Sequence, residues 1–406
     1  MDEQVRIMNG QKSQKVFWAL GLCGMAAIFS STLSKIPVLP LYALHLGANE
    51  AQVGWIAAAS TVPGIFLSFY AGVVSDRYGW KRLLMLALLV FATAPPLYLV
   101  VNDSLQLAVV RFYHGIATAI LGPVAMAAIV SNSSHRKGEL LSLYSSLTMI
   151  GRATAPFVGG FILTFWGFHG VFLICALSGF AALVVGVSIK LKIENLTVPK
   201  NSQNLKENKK LSNLREIFFH RPLVMVGMLE TVVFFSFGAF EVIFPIYAKG
   251  LGITVGLIGV IMGLQLAGII IFKPVFGRLS DRIGRMPIIL AGLMLCSLAV
   301  GGLFFCKNIL FIGIMNVGFG LGFALVTSST RPLAADIARK GEVGASLGII
   351  STLMDLGQVA GPPVVGMVAA FYGYQAGFLL MAAILAGTAT IYVFILARLK
   401  LNSPSL

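Results

Sequence analysis

Eight Asp, Glu, Lys or Arg side chains of this chain lie inside long apolar stretches: Lys35, Arg111, Arg152, Glu230, Glu241, Lys273, Arg331 and Asp355. A charge facing hydrocarbon costs a few kcal/mol or more, so such residues turn toward protein or water. The carboxylates could take up and release protons. The cations could hold an anionic group or a backbone carbonyl. Glu230 and Glu241 are eleven residues apart, which on a helix returns to one face within about 20° and about 16 Å further along. They therefore read as two stations on one path, with Glu230 the deeper. Lys35 and Glu241 fit either a cavity or an outer surface to which they snorkel. Lys273 lies close to an inner interface, where snorkelling is the better reading.

The segments that carry these residues read as membrane helices. The chain is 57% hydrophobic and 11% charged, against roughly 25% charged in a soluble domain. Twelve apolar runs recur near 16–43, 51–75, 83–101, 105–130, 140–164, 170–190, 221–248, 254–276, 287–306, 308–334, 343–369 and 374–397. Each is long enough to cross roughly 30 Å of hydrocarbon; they are spans 1 to 12 below. Spans 3, 6, 9 and 12 contain no charge within their apolar bodies, which predicts that they face lipid while the others surround a polar centre.

Internal repetition organises the whole chain. Gly72-Val-Val-Ser-Asp76-Arg77-Tyr-Gly79-Trp-Lys81-Arg82 returns 205 residues later as Gly277-Arg-Leu-Ser-Asp281-Arg282-Ile-Gly284-Arg285. The same offset places Pro40 on Pro245, Leu46-Gly47 on Leu251-Gly252 and Gly54 on Gly259. With one residue inserted, Pro156 falls on Pro362, Gly160 on Gly366 and Gly167 on Gly373. A duplicated membrane unit is the sequence mark of many secondary transporters. The expected domains are a six-helix bundle over 1–190, a polar linker over 191–220 and a second bundle over 221–406. Within the linker, an amphipathic patch at Leu211–Phe219 could lie on the membrane surface.

Charge sets the expected orientation. With the N-terminus in the cytoplasm, only Lys249 and Lys307 of the 30 Lys and Arg fall in outer loops. That is the positive-inside asymmetry, and both termini are expected in the cytoplasm. The net charge of +15 is thus a topology signal, and nucleic acid is not an expected partner. Cys23, Cys175, Cys296 and Cys306 lack ligand spacing and read as inert thiols. The five histidines, His45, His114, His135, His169 and His220, form no catalytic or metal motif, so an enzyme is not expected. No phosphate-binding loop is present for ATP-driven pumping by this chain alone.

Taken together, these features resemble the major facilitator superfamily over essentially the whole length. The Gly72 to Arg82 segment is similar to that family's signature loop between helices 2 and 3, and Gly277 to Arg285 to its weaker counterpart. The resemblance implies that Gly72 permits close packing while Asp76 and Arg77, with Gly79, Lys81 and Arg82, form a conformational gate. In the second copy Gly277, Asp281 and Arg282 take those places. Arg111-Phe-Tyr-His114-Gly115 is similar to the pattern Arg-x-x-Gln-Gly, with His114 replacing Gln; it implies proton coupling at Arg111. The corresponding residue in the second half is Asn316, so this charge is not duplicated. Gly151-Arg152-Ala-Thr-Ala155-Pro156-Phe-Val-Gly159-Gly160 resembles the antiporter motif, and Gly357 to Gly366, with Gly361 and Pro362, repeats the theme. Asp355 is the attractive partner for Arg152.

What the resemblance implies is an all-α protein of twelve transmembrane helices in two pseudo-symmetric bundles. The implied function is proton-coupled export of small hydrophobic compounds or drugs by alternating access across the cytoplasmic membrane. The proton gradient would supply the energy, with no cofactor and no metal. Glu230, Asp355, Arg111, Glu241, Lys35 and Arg152 are the candidates for proton coupling or substrate contact. Partners would be a small-molecule substrate, protons and lipid, with the monomer as working unit. The alternative is export of an anionic metabolite or siderophore at Lys35, Arg111 and Arg152; a membrane enzyme or transporter-like sensor is more remote.

Overall fold

The computed structural model describes residues 2–67, 79–132, 137–189, 221–305, 307–338 and 343–402. The expected linker, its amphipathic patch and the segment from Gly72 to Arg77 lie outside the described residues. Among those described, every element is α-helical. Ten helices are long and apolar enough to cross a membrane. One of these, Lys137–Ser188, is two helices joined at Gly167, whose φ of +65° and ψ of −169° no continuing helix could accept; its arms are spans 5 and 6. Span 2 is represented by Glu50–Ala59 and a further helical stretch at 62–67. With those two resolved, the twelve-span architecture is present.

Two spans depart from unbroken helix. Span 1 runs as helix from Asp2 to Leu33, turns over 34–37, and resumes as Val38–His45. Pro37 lacks an N–H and disfavours helix at the residue before it, so local chemistry permits the break. Ser34, Ile36 and Val38 are buried, the condition under which non-helical backbone is tolerated at membrane depth. Span 2 bends at Ser60–Thr61, just ahead of Pro63.

Repetition extends to the backbone. Positive φ occurs at Gly47 (+82°) and Gly252 (+83°), at Gly79 (+88°) and Gly284 (+106°), and at Gly167 (+65°) and Gly373 (+86°), each pair related by the repeat. A tertiary hydrogen bond repeats as well. The Tyr42 hydroxyl donates to the Tyr98 carbonyl at 2.9 Å, and that of Tyr247 to the Leu303 carbonyl at 3.2 Å. Each joins the first span of a half to the end of its third.

Within the N-terminal half span 1 packs on span 5, and within the C-terminal half span 7 packs on span 11. Small residues make both contacts close. A Cβ on Gly151 would lie 2.4 Å from the Met25 carbonyl oxygen, and one on Gly357 would lie 2.2 Å from that of Thr231. The halves meet through span 5 against span 8 and span 2 against span 11. Spans 3, 6, 9 and 12 pack mainly within their own halves and present Leu86, Phe180, Leu298 and Phe394 outward, as their lack of charge predicts.

Candidate functional site

With an even number of spans, both termini lie on one side of the bundle. That side is the terminus side below, and its opposite the far side. Among the described residues one ion pair joins the two halves, and it is on the far side. Lys35, in the break of span 1, donates from Nζ to Glu241 Oε2 of span 7 at 2.7 Å. Their side chains are 23% and 6% exposed. The break matters here, because it takes Lys35 out of the helical register of span 1.

Two backbone crossings flank this ion pair. A Cβ on Gly259 would fall 2.5 Å from the Pro156 carbonyl oxygen and 2.8 Å from Gly160 Cα. At the repeat-related position, a Cβ on Gly54 would fall 2.3 Å from the Pro362 carbonyl oxygen. Pro156, Gly160 and Pro362 of the helix-packing motifs therefore sit where main chains of opposite halves touch. Gly151, Gly159 and Gly361 instead pack on spans 1 and 7 of their own halves. Tyr374 adds a further bond between halves, donating to Glu50 Oε1 at 2.5 Å.

Arg111 occupies a different place, deep inside the N-terminal half and only 2% exposed. Its Nη2 donates to Ser60 Oγ at 2.8 Å and its Nη1 to the Tyr98 hydroxyl at 3.4 Å. Tyr98 also bonds His114 Nδ1 at 3.1 Å. His114, standing where the family pattern has Gln, thus extends a network of neutral partners. A Cβ on Gly115 would lie 2.2 Å from the Ser60 carbonyl, so the glycine lets span 2 come near enough to receive the guanidinium. Asn316, the repeat counterpart of Arg111, is fully buried with both side-chain polar atoms unpartnered.

Glu230 is the buried carboxylate of the C-terminal half, at 0% exposure. Its Oε1 accepts from the Thr330 hydroxyl of span 10, and its Oε2 has no partner. Arg331 and Lys273 act on it electrostatically, Arg331 also acts on Asp355, and Arg152 reaches Lys273. Among the described residues none of Arg152, Lys273, Arg331 and Asp355 forms an ion pair. The expected Arg152–Asp355 pairing is therefore not made. Span 5 lies on span 8 and span 11 on span 2, so their carriers are not neighbours.

Of the two signature loops, the second is described in full. Arg285 donates to Asp281 and, through Nε at 3.1 Å, to Asp336 of span 10. Gly277 has open space around it, and Arg282 is exposed. In the first loop Gly72, Asp76 and Arg77 lie outside the described residues. Lys81 donates to the Ile189 carbonyl at 2.7 Å, tying span 3 to the end of span 6, and Arg82 is exposed. No group of three or more potential metal ligands occurs among the described residues.

Sequence reasoning missed Ser60, Tyr98 and Thr330, the neutral partners of the buried charges. A hydroxyl within an apolar span carries no signal of its own. The repeat offset does bear on one of them, since Ser60 falls on Gln265, a buried polar residue with an unpartnered Nε2.

Comparison with known proteins places this architecture. The model of the Major Facilitator Superfamily matches residues 20–240 and 227–405. The multidrug resistance protein MdtG of Klebsiella pneumoniae is 25% identical, covering 98% of this chain and 95% of its own. The multi-drug resistance efflux pump PmrA of Streptococcus pneumoniae is 24% identical over 84% of this chain and 86% of its own. Among solved structures, the nucleoside transporter NupG aligns with a TM-score of 0.82 at 12% identity, covering 93% of this chain and 99% of that one. A bacterial homolog of the human lysosomal transporter Spinster, inward-facing and unoccupied, aligns at 0.80 with 15% identity, covering 97% and 99%. The duplicated six-span unit, the signature loops and the family match over nearly the whole chain agree: this is a multi-pass membrane transporter that belongs to the major facilitator superfamily.

Proposed function

We infer that the protein is a proton-coupled exporter of small, largely hydrophobic compounds, working as a monomer by alternating access in the cytoplasmic membrane. The terminus side is the cytoplasmic side on this reading, as the distribution of Lys and Arg requires. The observation that carries it is Glu230, a fully buried carboxylate with one hydroxyl donor, an unpartnered oxygen and two cations in electrostatic reach. Such a group has two stable arrangements. Protonated, it remains bonded to Thr330; ionised, it finds its counter-charge in Lys273 or Arg331. Changing between them as the halves rock would tie proton transfer to access. The names of MdtG and PmrA support efflux as the direction and drugs as the cargo.

Glu230→Gln keeps the hydrogen bond with Thr330 but cannot carry a proton. In inside-out vesicles it should abolish uphill transport driven by an imposed proton gradient, while downhill exchange of substrate survives. Wild-type uphill transport with unchanged pH dependence would move the coupling role to Asp355 or Glu241.

One observation favours a second reading, export of an anionic compound. Arg152, Lys273 and Arg331 stand without ion-pair partners among the described residues on the terminus side of the crossings. The anion-binding trio is then different from the one expected from sequence. Lys35 is engaged by Glu241 and Arg111 by Ser60, which leaves Arg152 as the member in common. Preference for lipophilic anions over cations in a vesicle competition assay would select this reading.

A further inference from the structure

Among the described residues Lys35–Glu241 is the ion pair that joins the two halves. It stands on the far side, with the backbone crossings Gly54–Pro362 and Gly259–Pro156. Those crossings are main chain on main chain and contain nothing that titrates. Among the described residues neither Lys35 nor Glu241 has a second side-chain partner. Among the described residues the contact between the halves therefore has one element whose strength depends on a pair of opposite charges.

The other ionisable groups at this end have different attachments. Glu50 of span 2 accepts from Tyr374 of span 12; a protonated Glu50 could still bond that hydroxyl, so a proton there need not part the halves. His45 stacks on Tyr42 and Phe168 within the N-terminal half. Tyr42 and Tyr247 donate to carbonyls of their own halves, and Lys249 is exposed at the end of span 7. On spans 8, 10 and 11, which also pack on span 7, no Asp, Glu, Lys, Arg or His lies in the far-side half.

We propose that Glu241 is the proton-binding site that controls opening of the far side. Ionised, it holds Lys35 and keeps the halves together there. A proton arriving from far-side water forms an O–H on the carboxylate and replaces the attraction between opposite charges with a weaker hydrogen bond. Lys35 keeps its own proton and becomes hydrated as the halves part. This rests on the proton-coupled reading above and adds a second station to it. Glu230 and Glu241 lie on one stripe of span 7, so one helix carries a carboxylate near each mouth.

The test reads opening directly and needs no substrate. Ile258, fully buried next to Gly259 at the crossing of spans 5 and 8, is replaced by Cys in a full-length chain whose native cysteines are removed. Its labelling by a membrane-impermeant maleimide is followed from each face of sealed vesicles as pH on that face is varied. With Lys35 and Glu241 intact, far-side labelling should be slow at neutral pH and rise as pH falls. Glu241→Gln should label roughly tenfold faster and lose the pH response, a change within the usual range of coupling between sites. The exchange Lys35→Glu with Glu241→Lys restores a pair, so it should restore slow labelling and the pH response together. Glu50→Gln and Glu230→Gln should keep the response, which separates failure here from failure of the Glu230 assignment. Labelling that ignores pH in the parent chain overturns the proposal. So does slow labelling in Glu241→Gln, or loss of the pH response in Glu50→Gln.

Discussion

Arg111 brings a full positive charge into the N-terminal half with only hydroxyls among the described residues to receive it. Ser60 is its closest partner, and hydrogen bonds to a charged group contribute about 1.5–3 kcal/mol. Ser60→Ala should therefore lower thermal stability in detergent by an amount of that order, while Ser60→Thr, which keeps the hydroxyl, should stay near the parent. A thermal-shift measurement on the purified protein decides it; equal melting temperatures for all three would show that the guanidinium is held by something else. At this scale the sequence was legible in its charges and opaque in their partners. Lys35 and Glu241 could be set at nearly equal depth from the repeat offset alone. Their bonding depends on the break at 34–37 and on how the halves meet, which no local pattern encodes. The Arg152–Asp355 expectation failed for the same reason: opposite signs in repeat-related spans do not make those spans neighbours.

Elements were read more fully than side chains. Spans 3 to 12 lie where hydropathy put them, because about 20 apolar residues allow little else in a bilayer. The two interruptions of spans 1 and 2 fall beside Pro37 and Pro63, yet other prolines, such as Pro123 and Pro245, sit inside continuous helix. Proline permits a break; the packing around it decides whether one forms. The crossings carry the clearest expectation at this scale. A methyl group on Gly54 has no room, with the Pro362 carbonyl oxygen 2.3 Å from its position and backbone rather than side chain in the way. Gly54→Ala should impair closure of the far side and reduce transport severalfold at normal expression. Gly122→Ala, where a Cβ meets nothing within 4 Å, should transport like the parent. Undiminished transport by Gly54→Ala would mean that span 2 and span 11 need not approach so closely during the cycle.

For the whole molecule, duplication was the most legible property. The offset seen in the signature loops also relates the positive-φ glycines, the Tyr42 and Tyr247 hydrogen bonds, and the pairing of spans 1 with 5 and 7 with 11. What the repeat could not reveal is where the copies differ, and the buried charges are such differences: Arg111 faces Asn316 across the pseudo-symmetry, and Glu230 faces Met25. If the halves are joined only by a tether over 191–220, cutting the chain near Asn204 and expressing both pieces together should restore measurable transport. Yield should fall because the effective concentration supplied by the link is lost. Pieces that associate stably without transporting would make that segment a working part.

The Lys35–Glu241 bond bears on that experiment in another way. Each half carries both surfaces of a crossing: Gly54 with Pro156 in one, Gly259 with Pro362 in the other. By shape, then, either half could pair with a second copy of itself in a two-fold arrangement. Charge separates the choices. Two N-terminal halves would bring two lysines toward the joint, and two C-terminal halves two glutamates, whereas the mixed pair joins one of each. Like-charge contact of that kind discriminates between partners as effectively as attraction does. In co-expressed fragments Glu241→Lys should thus reduce mixed pairs captured through a tag on one piece, and adding Lys35→Glu should bring them back. A bond that holds one side of the transporter shut would also have guided two copies of one ancestral unit into becoming unlike partners.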